Sequence, residues 1–473
     1  MNESADTTAR LRWSIYWLLI AVGVGGMMGR ILAVNSVDRV ALESHLHRQG
    51  RKDWQRQRPF LSANDRSRWA TVRSLVEHGT YAIDDVVSEP GWDTIDMVKH
   101  ADRDGQPRLY SSKPPLLATL MAGPYWVIHR TTGATLGDYP YEVGRFMLVL
   151  CNLAPLVVYF VVMACLVERL GTTDWGRVFT MAAAVLGTFL TTFVVTINNH
   201  EPAAVCVAIA LFAGVRIWLD DRRQIGYFVL AGACDAMAVA CELPALSFLA
   251  LLGVGLLWKA PRETLIGYVP AALVVAVAFF GTNYIAHESF RPPYMHRSTT
   301  DPADDWYDYT YVRDGRERDS YLRDPVGIDR GEPCIGKYAL HATFGHHGVF
   351  SLTPVWLLSV WGAVLLWRQE RCRALAALIV VLSIVCMTFY ILRPELDRNY
   401  GGMTSGFRWM FWFAPMWLVA LLPAADRLSR SRVGQGIALV LLALSVMSAS
   451  YPTWNPWTHP WLWNWLVSLG VTP

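Results

Sequence analysis

Apolar stretches long enough to cross a lipid bilayer recur along most of this 473-residue chain. We predict about eleven of them, at 13–34, 141–167, 177–197, 202–219, 225–241, 243–259, 264–286, 348–367, 374–393, 406–425 and 433–450. With 53% hydrophobic and 17% charged residues, the chain is too apolar for an ordinary soluble protein of this length. The sequence therefore predicts an all-α, polytopic membrane bundle.

The positions of Arg and Lys predict the orientation of these spans. Arg10 and Arg12 precede the first span, which favours a cytoplasmic N-terminus. The turns that this orientation puts inside carry clusters of basic residues, whereas two short outside turns carry none. The first span is long and lacks a convincing cleavage site, so we interpret it as a signal anchor. The net charge of +3 gives no reason to expect a nucleic-acid partner.

This orientation puts two long segments on the outer face, which we name the first loop (residues 35–140) and the second loop (residues 287–347). Loops of more than about 15 residues usually carry function or are disordered. The remaining predicted units are an N-terminus with the first helix (1–34), spans two to seven (141–286), spans eight to eleven (348–450) and a tryptophan-rich interfacial C-terminus that includes Trp454 (451–473).

The first loop contains two predicted helices. Residues 65–78 have helical periodicity, with Ser62 or Asn64 as the N-cap and Gly79 as the stop. Residues 113–129 form an apolar segment opened by two prolines, which suit a first helical turn. Counting that segment as a span would put the arginine-rich turns outside, so we interpret it as an interfacial helix.

One carboxylate and one cation stand out in these helices. Asp65 at the head of the first helix is either a carboxylate that favours the helix dipole or a general base for an acceptor hydroxyl or amine. Lys113 before the two prolines is either a snorkelling interfacial cation or a phosphate ligand. The residue pattern alone leaves both interpretations open for each.

The order of these residues resembles the first outer loop of membrane glycosyltransferases of the C-type fold, which include protein O-mannosyltransferases and aminoarabinose transferases. The family pattern is roughly Asp-Glu-x-Arg-Tyr-Ala, a Gly-containing turn and Lys-Pro-Pro-Leu. Its counterparts here are Asp65-Arg66-Ser67-Arg68-Trp69-Ala70, Gly79 and Lys113-Pro114-Pro115-Leu116-Leu117, with Arg145 matching a further arginine of the pattern. Arg66 replaces the family's usual Glu, which puts in doubt any metal or second-carboxylate role at that position.

The resemblance implies an inverting sugar transfer from a polyprenyl-phosphate-linked donor to a glycan, lipid or protein acceptor. Asp65 would be the base, and Lys113 and Arg145 would hold the donor phosphate. A divalent metal is possible but is not required by this interpretation.

Other candidate residues lie in turns on the same predicted face. His200 and Glu201 join two spans where the family often places a second acidic motif, and Glu242 falls at the same depth. These side chains are either solvated or orient the acceptor, and Glu201 is a candidate ligand for a divalent ion. Arg408 follows a glycine-rich run and sits about one helical turn into span ten, where a guanidinium suits a buried phosphate unless it merely snorkels.

Three histidines precede span eight on the outer face. The spacing of His341, His346 and His347 fits no standard zinc motif. They are either polar surface residues or acceptor contacts, with His346 and His347 the stronger candidates.

We therefore predict a C-type glycosyltransferase of the cytoplasmic membrane, with its active site on the outer face. One alternative is a flippase for lipid-linked glycans, which would require repeats with broken helices, and no such repeat is visible in the sequence. The other is a ligase that transfers a whole lipid-linked polymer.

Overall fold

The computed structural model describes residues 2–48, 50, 60–89, 91–298, 300–313, 315–452 and 455–471. Side-chain surroundings are described for all of these except residues 2–6, 34–48 and 303. Trp454, one member of the predicted interfacial C-terminus, lies outside the described residues.

Helices make up most of the described chain. In chain order they are α1 (Asn2–Arg48), α2 (Ala63–Glu77), α3 (Asp84–Ser88), α4 (Pro115–Thr132), α5 (Pro140–Leu148), α6 (Ala154–Leu170), α7 (Asp174–Leu186), α8 (Leu190–Phe193), α9 (His200–Trp218), α10 (Ile225–Cys241), α11 (Leu246–Lys259), α12 (Pro261–Glu263), α13 (Val269–His287), α14 (Ile335–Thr343), α15 (Val349–Leu352), α16 (Trp356–Trp367), α17 (Arg373–Ile391), α18 (Ala414–Leu428), α19 (Arg432–Ser450) and α20 (Trp461–Ser468). π-Helical turns at Val149–Leu153 and Thr264–Tyr268 join α5 to α6 and α12 to α13.

Helices occupy all eleven stretches that the sequence predicts as spans. Eight helical segments among the described residues are long and apolar enough to cross a membrane: Thr7–Ala33, Pro140–Leu170, Asp174–Phe193, His200–Trp218, Pro261–His287, Glu370–Ile391, Arg408–Leu428 and Arg432–Ser450. The other three stretches hold shorter apolar helices, so the number of spans stays a prediction. The first helix continues beyond its predicted end, to Arg48.

Helices α9 and α18 form the centre of the bundle. Most residues of both are buried, because α9 packs against α10 and α6, and α18 packs against α16 and α7. Helix α13 instead exposes a wide apolar face on which Val274 and Val277 are 69% and 70% exposed. A peripheral apolar face of this kind suits lipid acyl chains.

The first loop is held together by the signals visible in its sequence. Helix α2 begins after Ser62, whose hydroxyl accepts a hydrogen bond from the Asp65 backbone N–H at 3.1 Å. Gly79, with φ +74°, follows its end. Helix α4 has Pro115 in its first turn, as the sequence predicts. An antiparallel hairpin of β1 (Met97–Ala101) and β2 (Pro107–Ser111), which the sequence analysis did not predict, connects the two helices.

The second loop packs on the first. It also contains a hairpin missed in the sequence, made of β3 (Thr310–Arg313) and β4 (Arg316–Asp319). Lys99 of β1 donates its backbone N–H to the Trp306 carbonyl at 3.0 Å and its ammonium to the Thr310 carbonyl at 2.8 Å. Both loops therefore lie at one end of the bundle, which we name the loop end.

Candidate functional site

A cavity of about 1080 Å³ opens at the loop end of the bundle. Its polar lining comes from several elements: Asn64 and Arg68 of α2, Lys113 ahead of α4, Asn199 and His200 at the start of α9, Glu242 after α10, Tyr294 of the second loop, Arg393 after α17 and Arg408 ahead of α18. Four of the residues predicted from the sequence, Lys113, His200, Glu242 and Arg408, therefore line one cavity.

Lys113 and Asp96 form an ion pair at the cavity wall, with 2.7 Å between the ammonium nitrogen and Asp96 Oδ2. Burial lowers the pKa of Lys113, and the positive charges of Arg68 and Arg408 lower it further, although Asp96 opposes this shift. Burial alone would raise the pKa of Asp96, but Lys113, Ser112 and Arg68 bring it below its usual range. The positive charge of Arg68 lowers the pKa of both groups, and a positive charge at this wall favours an anion.

Two amide side chains hold the guanidinium of Arg68, one on α2 and one at the start of α9. Its Nη1 donates to the Asn64 carbonyl and to Asn64 Oδ1, one helical turn earlier. Its Nη2 donates to Asn199 Oδ1 at 2.7 Å. Burial lowers the pKa of Arg68, which the neighbouring carboxylates Asp96, Asp65 and Glu242 partly offset.

Arg408 is held by the glycine-rich turn that precedes it. Its Nε donates to the Gly401 carbonyl at 2.8 Å, and its Nη1 donates to His200 Nε2 at 3.0 Å. Gly401 has φ +95°, and a Cβ there would lie 2.9 Å from Arg408 Nε. The glycine-rich turn thus holds the Arg408 guanidinium through one of its own carbonyls.

His200, Asn199 and Glu242 are connected at the cavity floor. His200 Nδ1 contacts Glu242 Oε1, and Asn199 Nδ2 donates to the same oxygen at 2.6 Å. Because Arg408 has only donors, His200 Nε2 is an acceptor, and the ring proton is on Nδ1. His200 therefore contacts Glu242 through Nδ1 while accepting from Arg408 through Nε2.

Asp65 occupies a different position from these residues. It is 1% exposed and is not among the residues that line the cavity. Its Oδ1 accepts the Ile197 backbone N–H at 2.8 Å and its Oδ2 accepts that of Leu61 at 3.3 Å. Burial raises the pKa of Asp65 to about 7, against the effect of these two hydrogen bonds. Its predicted role as the base stays a prediction.

The other predicted site residues are not brought to the cavity lining. Arg145 is half-buried on α5, and Glu201 is buried in the first turn of α9. His346 and His347 lie together between α14 and α15, where their Nδ1 atoms are 2.5 Å apart. Burial and the neighbouring basic groups lower the pKa of His346 to about 3, and burial also lowers that of His347. Their predicted roles also stay predictions.

Arg66, which departs from the family pattern, is a structural residue of the first loop. It is 4% exposed, its Nε donates to the Asp93 carbonyl at 2.6 Å, and its Nη1 donates to that of Phe60 at 2.9 Å. The guanidinium ties α2 to the chain segments on either side of it.

Several cavity residues were missed in the sequence. Asn64 and Arg68 are four residues apart and therefore share one face of α2, a spacing that a helix-face count would have found. Asn199 gave no signal beyond its neighbourhood to His200. Trp457 does not line the cavity, but the Arg408 guanidinium carbon lies 4.8 Å from the centre of its ring; the sequence predicts it only as part of the interfacial C-terminus.

Within the part of the chain that the structure describes, no group of three or more His, Cys, Asp or Glu side chains converges as a candidate metal site. Glu201, which the sequence predicts as a candidate ligand for a divalent ion, belongs to no such group among these residues.

The fold can be compared with known proteins. No family model matches the sequence, and no curated protein matches it. The crystal structure of ArnT from Cupriavidus metallidurans in the apo state aligns with a TM-score of 0.51 at 14% identity, over 91% of this chain and 62% of that one. ArnT is an aminoarabinose transferase of the C-type fold. The chain has the C-type glycosyltransferase fold.

Two archaeal structures of the C-type fold align less well. The oligosaccharyltransferase of Archaeoglobus fulgidus in the apo form has a TM-score of 0.46 at 10% identity, over 96% of this chain and 57% of that one. AglB from the same organism, in complex with an inhibitory peptide and a dolichol-phosphate, has a TM-score of 0.42 at 12% identity. The alignment covers 93% of this chain and 55% of that one.

The comparison confirms the resemblance that the first loop predicts, at the level of the C-type fold, and it confirms the all-α membrane class. The chain is an integral membrane protein. It spans about 62% of the length of ArnT.

Proposed function

We propose that this chain is a membrane glycosyltransferase that moves a sugar from a polyprenyl-phosphate-linked donor to a glycan, lipid or protein acceptor, with inversion. The observation that carries the proposal is the convergence of Arg68, Lys113 and Arg408 on one cavity. These cations come from three separate elements, and fixed cations offset the desolvation of a phosphate and stabilise the charge that develops as it leaves.

The cations retain capacity for a ligand. Arg408 Nη2 donates to none of the described residues, whereas its Nε and Nη1 are both occupied. The Lys113 side chain is 24% exposed although it is paired with Asp96. A phosphodiester would accept hydrogen bonds from both groups, which would weaken the pairing of Lys113 with Asp96.

The apolar wall of the same cavity supports a lipid-linked donor. Ile384, Val385 and Phe389 of α17 line the cavity, and they are 61%, 46% and 45% exposed on a membrane-length helix. Leu243, ahead of α11, also lines the cavity and is 46% exposed. A polyprenyl chain would lie against this wall with its phosphate at the cations, so the donor would arrive laterally from the bilayer.

The second loop contributes part of the cavity lining. Tyr294 and Met295 line it from the short 3₁₀-helix Pro293–Met295. The acceptor would approach from this side, because the opposite side is the lipid-facing wall. We propose that this side is the outer face of the cytoplasmic membrane.

The proposal is tested by binding of undecaprenyl phosphate to the purified protein in detergent. Lys113→Gln and Arg408→Gln should each weaken binding by about 1.5–3 kcal/mol, the range for a hydrogen bond to a charged group, or roughly 10- to 150-fold in Kd. The double variant should depart from additivity, because the two side chains share one ligand. Arg103→Gln is the matched control, since Arg103 is an exposed cation of the first loop.

Small and strictly additive losses would contradict the phosphate site. Transfer itself is tested in proteoliposomes with the lipid-linked sugars extracted from cells that lack the gene, by mass spectrometry of the lipid. Movement of intact lipid-linked sugar across the bilayer, with no release of sugar from its phosphate, would favour the flippase alternative.

A further inference from the structure

Of the residues that the structure describes, four with cationic side chains line the cavity, Arg68, Lys113, Arg393 and Arg408, but only one carboxylate does. Among the described residues that line it, Glu242 is the only Asp or Glu. It is 5% exposed and follows the last turn of α10, where its backbone N–H donates to the Ala238 carbonyl at 2.7 Å. A buried carboxylate at the edge of a cavity that takes a transferable group is a candidate proton acceptor.

The two oxygens of Glu242 have different surroundings. Oε1 accepts a hydrogen bond from Asn199 Nδ2 and is contacted by His200 Nδ1. Oε2 accepts no hydrogen bond from any described residue, although the side chain lines the cavity. One oxygen is therefore fixed by the protein, and the other is left for a ligand.

Each side chain that contacts Oε1 is itself held by an arginine of the proposed phosphate site. Arg408 donates to His200, and Arg68 donates to Asn199. Two neutral side chains thus join the carboxylate to two cations, which fixes its orientation. His200 is unsuited to be the base, because both of its ring nitrogens are engaged.

Asp65 contrasts with Glu242 in each respect. Both of its oxygens accept backbone N–H groups, from Ile197 and Leu61, and it does not line the cavity. A pKa near 7 would suit a base, but proton transfer also requires hydrogen-bond contact with the acceptor. Its bonds join α2 to the turn before α9.

We propose that Glu242 is the proton acceptor of the transfer, with His200 and Asn199 as its positioning residues. This inference rests on the proposed function. The acceptor's oxygen or nitrogen attacks the anomeric carbon, and the bond from that carbon to the phosphate oxygen breaks. The electron pair of that bond goes to the polyprenyl phosphate, held by Arg68, Lys113 and Arg408. The acceptor's proton goes to Glu242 Oε2.

The test is the rate of sugar release from the extracted lipid-linked sugars, measured beside undecaprenyl phosphate binding. Glu242→Gln keeps the size of the side chain and removes the base, so turnover should fall by roughly 10²- to 10⁴-fold. Binding of undecaprenyl phosphate should be unchanged or tighter, because a negative charge has left the cavity. Glu288→Gln, an exposed glutamate on the same side, is the matched control and should turn over normally.

The positioning role of His200 predicts a graded pair of variants. His200→Asn retains a side-chain N–H to donate to Glu242, whereas His200→Ala retains none. We expect His200→Ala to lose roughly 10- to 100-fold more turnover than His200→Asn. Equal losses would indicate a purely structural histidine, and His200 would then not be a positioning residue for Glu242.

Two outcomes overturn the inference in different ways. Near-normal turnover of folded Glu242→Gln, with loss of turnover in folded Asp65→Asn, would assign the base to Asp65 and leave the proposed function intact. If the wild-type protein binds no undecaprenyl phosphate and releases no sugar from any lipid in the extract, the proposed function and this inference both fail.

Discussion

At the scale of single residues, the placement of Arg408 depends on the backbone of Gly401. With φ +95° and a Cβ position 2.9 Å from Arg408 Nε, Gly401→Ala would strain the turn and displace the guanidinium. The left-handed conformation alone costs a non-glycine residue about 1–2 kcal/mol. We expect lower thermal stability. We also expect undecaprenyl phosphate binding to weaken by about tenfold, because part of one charged hydrogen bond is lost.

Gly105, in the turn between β1 and β2, provides the matched control. It has φ +74°, and nothing lies within 4 Å of its Cβ position. Gly105→Ala should lower stability by a similar amount and leave binding unchanged. If both variants bind equally well, the turn does not determine where the Arg408 side chain lies.

The sequence predicted the candidate site unevenly at this scale. Lys113 and Arg408 were found because a charge beside an apolar segment is conspicuous. The resemblance points to Asp65. Adjacent residues of a helix point about 100° apart, however, and the structure turns Asn64 to the cavity. That rotation is set by how α2 packs, with Trp69 and Val72 fully buried, and the sequence alone does not give the packing partner.

At the scale of elements, the bundle depends on close contacts between helices. Gly362 of α16 faces α18, and a Cβ there would lie 1.9 Å from the Ala420 carbonyl oxygen. Apolar helices associate through small residues that let backbones approach. Gly362→Ala should therefore force the helices apart and lower the free energy of unfolding by about 1–3 kcal/mol.

Thermal unfolding in detergent measures this effect. Gly281→Ala, in α13, is the matched control, because nothing lies within 4 Å of that Cβ position. An unchanged midpoint for Gly362→Ala would mean that α16 and α18 pack less closely than the structure indicates.

The same scale shows what the sequence pattern could not predict. The long apolar runs predicted the helices, since their hydropathy is a local property. The hairpins β1–β2 and β3–β4 have strands of only five and four residues, and β4 is exposed throughout, so they carry no alternating pattern. Their pairing partners, not their own composition, make them strands.

At the scale of the whole molecule, the orientation in the membrane is a testable prediction. Cys334, in the second loop, is the one exposed cysteine among the described residues. A membrane-impermeant maleimide added to intact spheroplasts should label it if the loop end faces outward. Arg371→Cys in a Cys334→Ser background should react only after the membrane is opened, since Arg371 lies in the turn before α17, at the opposite end.

Labelling in the reverse order would place the cavity on the cytoplasmic side. The order of the basic turns along the sequence predicted the orientation, because charge asymmetry acts during insertion and does not depend on packing. The convergence of both loops over one cavity depends on contacts between residues some 200 positions apart, such as Lys99 with Thr310, and no local pattern predicts those.

For the lipid-linked donor that we propose, the exposed apolar wall on α17 has a kinetic consequence. A molecule whose tail stays in one leaflet searches a surface instead of a volume, so its local density at the wall depends on membrane area. Tethering of this kind raises effective concentration without any new contact. The phosphate site can then bind its ligand weakly. The polyprenyl phosphate left after transfer can diffuse away in the plane of the membrane as quickly as the next donor arrives.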